Sequence, residues 1–284
     1  MVVKTLEEIA RERMNEASDA ARKRFRNAVK PIYGVSDGGD PFHIGSALLL
    51  DLPEGHYLLT AAHVIDWSKS TTLFLGADHF APLQFEALVT TPPSGDRRKD
   101  HADFSIAPLN ADLVPKLIGA TFVTEAEISA SVASSEGRIY TCLGYPNSKN
   151  KINRVNGTRV IPSLLPYTSV GRSASCLPAI AKENHHILVD YNARHARDEL
   201  GAKVSAIAVR GCSGGAIVDM GRISPDTLTA DFDPKLAALF IEAHAEQKVI
   251  LGTRLTVILA EMRSHIQRTA DDIASSCGGQ TPPN

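Results

Sequence analysis

A serine set between glycines is the first residue in this sequence with the makings of chemistry. Gly211-Cys212-Ser213-Gly214-Gly215 follows an apolar run over residues 204–209 and precedes Ala216-Ile217-Val218. Glycine has no Cβ, so the chain can turn sharply there and come close to a ligand. A hydroxyl on such a turn, with backbone N–H groups beside it, has what a nucleophile with an oxyanion hole needs. The same residues also suit an ordinary hairpin loop. A serine nucleophile needs a base, and the base needs a carboxylate to orient it. Two other stretches supply them. His63 ends the apolar run Leu59-Thr60-Ala61-Ala62-His63, and Asp103 stands at the head of the alternating Phe104-Ser105-Ile106. Taken singly, a histidine at a strand end is more often a structural hydrogen-bonder. An aspartate before a strand is usually a turn residue. Asp100, after Arg97-Arg98-Lys99, reads as a solvated loop charge.

The elements that must position these residues are mostly short strands. Residues 44–51 and 57–65 flank a turn at Leu52-Pro53-Glu54-Gly55 and read as a hairpin. Further apolar runs cover 71–75, 83–89 and 104–109. A second set covers 138–146, 159–165, 169–173, 187–190, 204–209, 216–219, 236–241 and 249–251. Short strands at this spacing suggest barrels or sandwiches rather than βαβ units. Residues 111–135 read as the connection between two halves, and 182–186 and 192–200 as rim loops. Amphipathic helices are expected at both ends. The first covers 5–29, with an apolar stripe of Leu6, Ile9, Met14, Ala17, Ala21, Phe25 and Val29, and is stopped by Pro31. It packs on the domain or serves as a docking arm. The second covers 253–274, with Gly252 and Thr253 at its start.

Bulk properties narrow the classes. At 284 residues the chain can bury a full core, and 43% hydrophobic with 22% charged residues is ordinary for a globular protein. A net charge of -2 gives no footprint for nucleic acid or an anionic membrane. No apolar run is long enough to span a bilayer. The N-terminus has no apolar stretch of the secretory kind, so a cytoplasmic location is expected. Cys142, Cys176, Cys212 and Cys277 show no zinc-ligand spacing and read as free thiols. No metal or cofactor is expected.

With these residues in view, the chain resembles the trypsin-like serine peptidases. The match is carried by Gly45-Ser46, Leu59-Thr60-Ala61-Ala62-His63-Val64, Asp103-Phe104-Ser105-Ile106, Gly144-Tyr145-Pro146 and Gly211-Cys212-Ser213-Gly214-Gly215, over about residues 31–262. The order is histidine, aspartate, serine, separated by 40 and 110 residues. The resemblance implies a mainly β fold of two six-stranded antiparallel barrels with an N-terminal and a C-terminal helix. The expected division is a helix over 1–30, a first barrel over 31–125, a second over 126–252, and a helix and tail over 253–284. It also implies roles: Ser213 as nucleophile, His63 as base, Asp103 as its orienting carboxylate, and the N–H groups of Gly211 and Ser213 as the oxyanion hole. Ile207, Glu242 and His244 are the corresponding candidates for the substrate pocket. The implied activity is endopeptidase cleavage of a protein or peptide substrate, under control of a regulatory partner. The alternative is a trypsin-like barrel that binds a peptide or partner with little turnover. One departure stands out. The secreted zymogen members carry an aspartate before the nucleophile, and this chain has Cys212 there. The turn must therefore be ordered by some other means.

Overall fold

A computed structural model of the chain describes residues 4–76, 80–83, 89–90, 96–150, 162–192, 208–222 and 233–277. Helix α1 (Leu6–Phe25) opens with a capping box. Thr5 Oγ1 accepts from the Glu8 N–H at 3.2 Å, and the Glu8 carboxylate accepts from the Thr5 N–H at 2.7 Å. These bonds satisfy donors that a helix start leaves open. Ala17, Ala21 and Phe25 are fully buried, and the helix lies on the second sheet. The helix ends at Phe25 rather than at Val29. Residues 26–28 turn, and Val29 opens β1 (Val29–Val35), with Pro31 inside the strand. A proline fits an extended backbone as well as a helix stop, because its fixed φ suits both.

The first sheet contains β1, β2 (Pro41–Leu52), β3 (Gly55–Ala61), β4 (Phe74–Gly76), β5 (Phe80–Pro82), β6 (Val89–Thr90), β7 (Phe104–Pro108) and β8 (Val123–Thr124). Their order is β5-β4-β1-β2-β3-β7-β6, with β8 alongside β2 in parallel. So the first unit carries eight described strands where six are expected, and its described path does not close. In β2, Ala47 and Leu49 face one core while Leu48 and Leu50 face another. That is why residues 47–50 are apolar without alternation: both faces of the strand are covered.

The second sheet is a closed antiparallel barrel, as expected. It consists of β9 (Arg138–Gly144), β10 (Leu165–Arg172), β11 (His186–Asp190), β12 (Ala216–Arg222), β13 (Lys235–His244) and β14 (Val249–Arg254), in the order β10-β11-β14-β13-β12-β9. Residues 169–172 of the expected strand 169–173 belong to β10, and His186, read as rim loop, opens β11. Residues 84–88, 159–161 and 204–207 of the expected strands lie outside the described residues, and Val209 is not in a strand. Thr253 lies in β14, so α3 (Leu255–Cys277) starts two residues later than expected. Its first turns bury Leu255, Ile258, Leu259 and Met262. These residues share one continuous core with α1, the outer faces of β2 and β3, and β12 and β13. The two sheets are therefore glued along a common apolar layer.

A buried cation pins the connection between the sheets. Arg254 is 2% exposed. Its guanidinium donates to the carbonyls of Glu183 (2.9 Å), Ser131 (3.0 Å) and Ala133 (2.7 Å). Removing one side chain would leave all three carbonyls without their donor. Arg254→Met is expected to lower unfolding free energy by about 3–5 kcal/mol in urea titration. A loss below about 1 kcal/mol would show that the three bonds are dispensable.

Candidate active site

His63 and Asp103 are brought together by strand register. β3 and β7 are antiparallel with Ala61 opposite Phe104, so the residues just beyond each strand meet. His63 does not sit on a strand. It lies on a single helical turn, α2 (Ala62–Ile65), and Asp103 holds the start of that turn. The Asp103 carbonyl accepts from the Ala62 N–H at 3.0 Å. Its Oδ1 accepts from the His63 N–H at 3.0 Å, and its Oδ2 from His63 Nδ1 at 2.5 Å. The Asp103 side chain is 6% exposed and that of His63 is 41% exposed, so the pair is open only on the imidazole side. Burial opposes charge on the imidazole. The hydrogen bond and charge of Asp103, with the charge of Glu242, outweigh it and hold the His63 pKa above its ordinary 6.5. Burial pushes the Asp103 carboxyl up, and its bonds to His63 work against that rise.

Asp103 itself is strained, with φ at 38°. The left-handed region costs an ordinary residue about 1–2 kcal/mol. Asp100 is part of what holds it there. Its Oδ1 accepts from the Asp103 N–H at 3.1 Å, and its Oδ2 accepts from Arg97 at 2.6 Å. The Asp100 side chain is 4% exposed, so it is a buried partner of Arg97 and not the solvated loop charge expected. Arg97 also bonds Asp66 at 2.9 Å, which ties the residues after His63 to the loop before Asp103.

The Ser213 turn is ordered by the chain's own residues. Ser46, in β2, is fully buried. Its hydroxyl donates to the Gly211 carbonyl at 3.0 Å and accepts from the Tyr145 N–H at 2.9 Å. Its N–H donates to the Ser213 carbonyl at 2.8 Å. On the other side, the Gly214 N–H donates to the Phe240 carbonyl, and the Phe240 N–H to the Gly215 carbonyl, each at 2.8 Å. Glycine is required at two points. Gly214 has φ +88°, and a Cβ there would stand 1.9 Å from the Ser46 carbonyl oxygen. Gly211 has φ +95°, and a Cβ there would stand 1.9 Å from Asn147 Oδ1. Asn147 has two further contacts. Its N–H donates to the Arg210 carbonyl at 2.7 Å, and its Oδ1 accepts from Nδ1 of the buried His43 at 2.7 Å. In a planar trans peptide the C=O and the next N–H point opposite ways. With the Arg210 carbonyl on Asn147, the Gly211 N–H points away from it. Neither the Gly211 nor the Ser213 N–H has an acceptor among the described residues. Cys212 is 2% exposed, and burial pushes its thiol up to about 12, which keeps it protonated and inert.

Ser213 is half-buried, and its carbonyl packs against Gly45 on the same side as Val64, the residue after His63. No hydrogen bond joins Ser213 Oγ to His63 among the described residues. Glu242 and His244 lie at the end of β13. Glu242 Oε1 is 3.0 Å from His244 Nε2 and 3.8 Å from His101 Nδ1. Ile207 lies outside the described residues. Among the described residues, no group of three or more His, Cys, Asp or Glu could hold a metal ion. The parts played by Ser46, Asp100, Asn147 and His43 are not legible in the sequence. Only Gly45-Ser46 carried any signal, as a polar residue within an apolar strand.

No protein-family profile and no curated protein matches the chain. Among solved structures, a Glu endopeptidase in complex with MPD is 13% identical over 87% of this chain and 94% of its own, with a TM-score of 0.46. The VesB protease of Vibrio cholerae is 15% identical over 84% of this chain and 64% of its own, with a TM-score of 0.49. A structure reported with the Sesbania mosaic virus VPg protein is 13% identical over 81% of this chain and 93% of its own, with a TM-score of 0.41.

The Ser46 hydroxyl gives the geometry a direct check. Ser46→Ala leaves a buried carbonyl and a buried N–H unpaired, for an expected loss of about 2–4 kcal/mol in chemical unfolding. A loss under about 0.5 kcal/mol would mean that the turn is held without it.

Proposed function

We propose that this chain is a serine hydrolase of the trypsin-like kind, an endopeptidase acting on a protein or peptide through an acyl-enzyme. The reading rests above all on the 2.5 Å bond between His63 Nδ1 and Asp103 Oδ2. A buried carboxylate accepting from Nδ1 fixes the tautomer, so that Nε2 is left as the base. Ser213 Oγ attacks the substrate carbonyl carbon while its proton passes to His63 Nε2. The carbonyl π electrons move onto oxygen, and the Gly211 and Ser213 N–H groups receive that charge. One such donor is worth about 3–4 kcal/mol of barrier. The C–N bond then breaks, the amine leaves with the proton from His63, and Ser213 carries an ester. Water, deprotonated by His63, cleaves the ester and returns the proton to Oγ. Asp103 stays ionised throughout.

Glu242 and His244 serve in this proposal as substrate contacts at the rim. A regulatory partner acts on access to the site, because Ser46, Asn147 and Phe240 already hold the serine turn. A cytoplasmic setting is supported by the free thiols of Cys142, Cys176 and Cys212. One observation favours a second reading, a peptide-binding barrel with little turnover: no described hydrogen bond joins His63 to Ser213.

A fluorophosphonate probe separates the two. Wild type should be labelled, and Ser213→Ala and His63→Ala should not. The labelling rate should rise with pH along a limb whose midpoint lies above 6.5, because the base must be neutral and its pKa is held up. Glu242→Gln should move that midpoint down by removing a nearby negative charge. Unlabelled wild type would leave the binding barrel as the better account.

A further inference from the structure

The strained Asp103 is gripped from the far barrel. The two carbonyls before it are both hydrogen-bonded by residues of the second sheet. The His101 carbonyl accepts from His186 Nε2 at 3.0 Å, and the Ala102 carbonyl accepts from Thr253 Oγ1 at 2.7 Å. His186 and Thr253 stand directly opposite each other in the β11–β14 ladder. One rung of the closed barrel therefore reaches across and holds two consecutive peptide groups of the first unit. The His186 tautomer is fixed as well, since its Nδ1 accepts from the Lys182 N–H at 3.0 Å and the proton must sit on Nε2. Both side chains are buried, at 6% and 0% exposure. The Asp103 N–H goes to Asp100. Residues 101–103 thus have their backbone held on both sides, next to a left-handed φ that a free loop would relax.

We propose that the His186–Thr253 rung is a positioning device for the reacting pair: by holding the 101 and 102 carbonyls, it sets the Asp103 carboxylate against His63 and makes that contact conditional on docking of the second barrel. His186 and Thr253 are positioning residues and touch no substrate. The inference rests on the hydrolase reading only where rates are concerned. The contact between His63 and Asp103 can be observed without any substrate.

Thr253→Val keeps the shape of the side chain and loses the hydroxyl, while Thr253→Ser keeps the hydroxyl. Two readouts follow the pair. The first is the low-field proton resonance of the His63 Nδ1–H held by Asp103. The second is the pH profile of fluorophosphonate labelling, in which the groups acting on His63 are Asp103, Glu242 and Arg97. In Thr253→Val the resonance should weaken or shift upfield. Labelling should slow about tenfold, and its midpoint should fall toward that of free histidine. Thr253→Ser should stay within about twofold of wild type. The inference is overturned if Thr253→Val keeps the wild-type resonance and midpoint, or if Thr253→Ser falls as far as Thr253→Val, which would mark a packing effect. Should Thr253→Val melt below the assay temperature, His186→Leu against His186→Gln makes the same comparison at the His101 carbonyl. Wild type that gives the resonance but takes no label would sink the hydrolase reading, and the variants' resonances would still decide the positioning claim.

Discussion

A carboxylate held away from water must be surrounded by donors, or its charge is not tolerated. Asp103 meets that demand almost entirely through His63, which gives it a backbone N–H and a ring N–H. The carbonyl of the same aspartate takes the Ala62 N–H, so one residue both starts the α2 turn and aims its imidazole. The rest of the site follows from keeping this arrangement dry and rigid. Arg97 and Asp100 close it on one side, and the second barrel closes it on the other.

The serine turn obeys a different constraint. A tight turn between two sheets has more polar backbone groups than its own residues can satisfy. Ser46 supplies two of the missing contacts from the middle of an apolar strand, and its hydroxyl also accepts from the Tyr145 N–H. Asn147 fixes the direction of one peptide, and the positive φ at Gly211 and Gly214 lets the chain pass close to both. In the zymogen members of the family that this chain resembles, an aspartate stands before the nucleophile. Here Cys212 fills that position with an inert, buried thiol. The bonds from Ser46 and Asn147 order the turn without any charge at that position.

The main outlines were legible in the sequence because local chemistry carries them. Glycines around Ser213 mark a turn, small residues mark the approach to His63, and alternation after Asp103 marks β7. What was not legible depends on partners far away in the chain. The Ser46 hydroxyl meets a carbonyl 165 positions later, and Thr253 meets one 151 positions earlier. Nothing near Thr253 signals this, and its place before an amphipathic run made it look like a helix start. His186 looked like rim loop because its neighbours are polar, although it opens a buried strand. Short strands such as β5 and β8 escaped because two or three residues carry no period. Asp100 looked solvated beside three cations, but its carboxylate is buried against one of them, the half-buried Arg97.

In the proposed mechanism, Ser213 becomes acylated because His63, held by Asp103, removes its proton. Rapid mixing with an activated p-nitrophenyl ester tests this most directly, with peptide mass analysis of the quenched protein. The expected result is a burst of p-nitrophenol close to the enzyme concentration, with the acyl mass on the peptide containing Ser213 and no burst in Ser213→Ala. A linear trace with no burst and no acylated Ser213, or a burst that persists in Ser213→Ala, would contradict it.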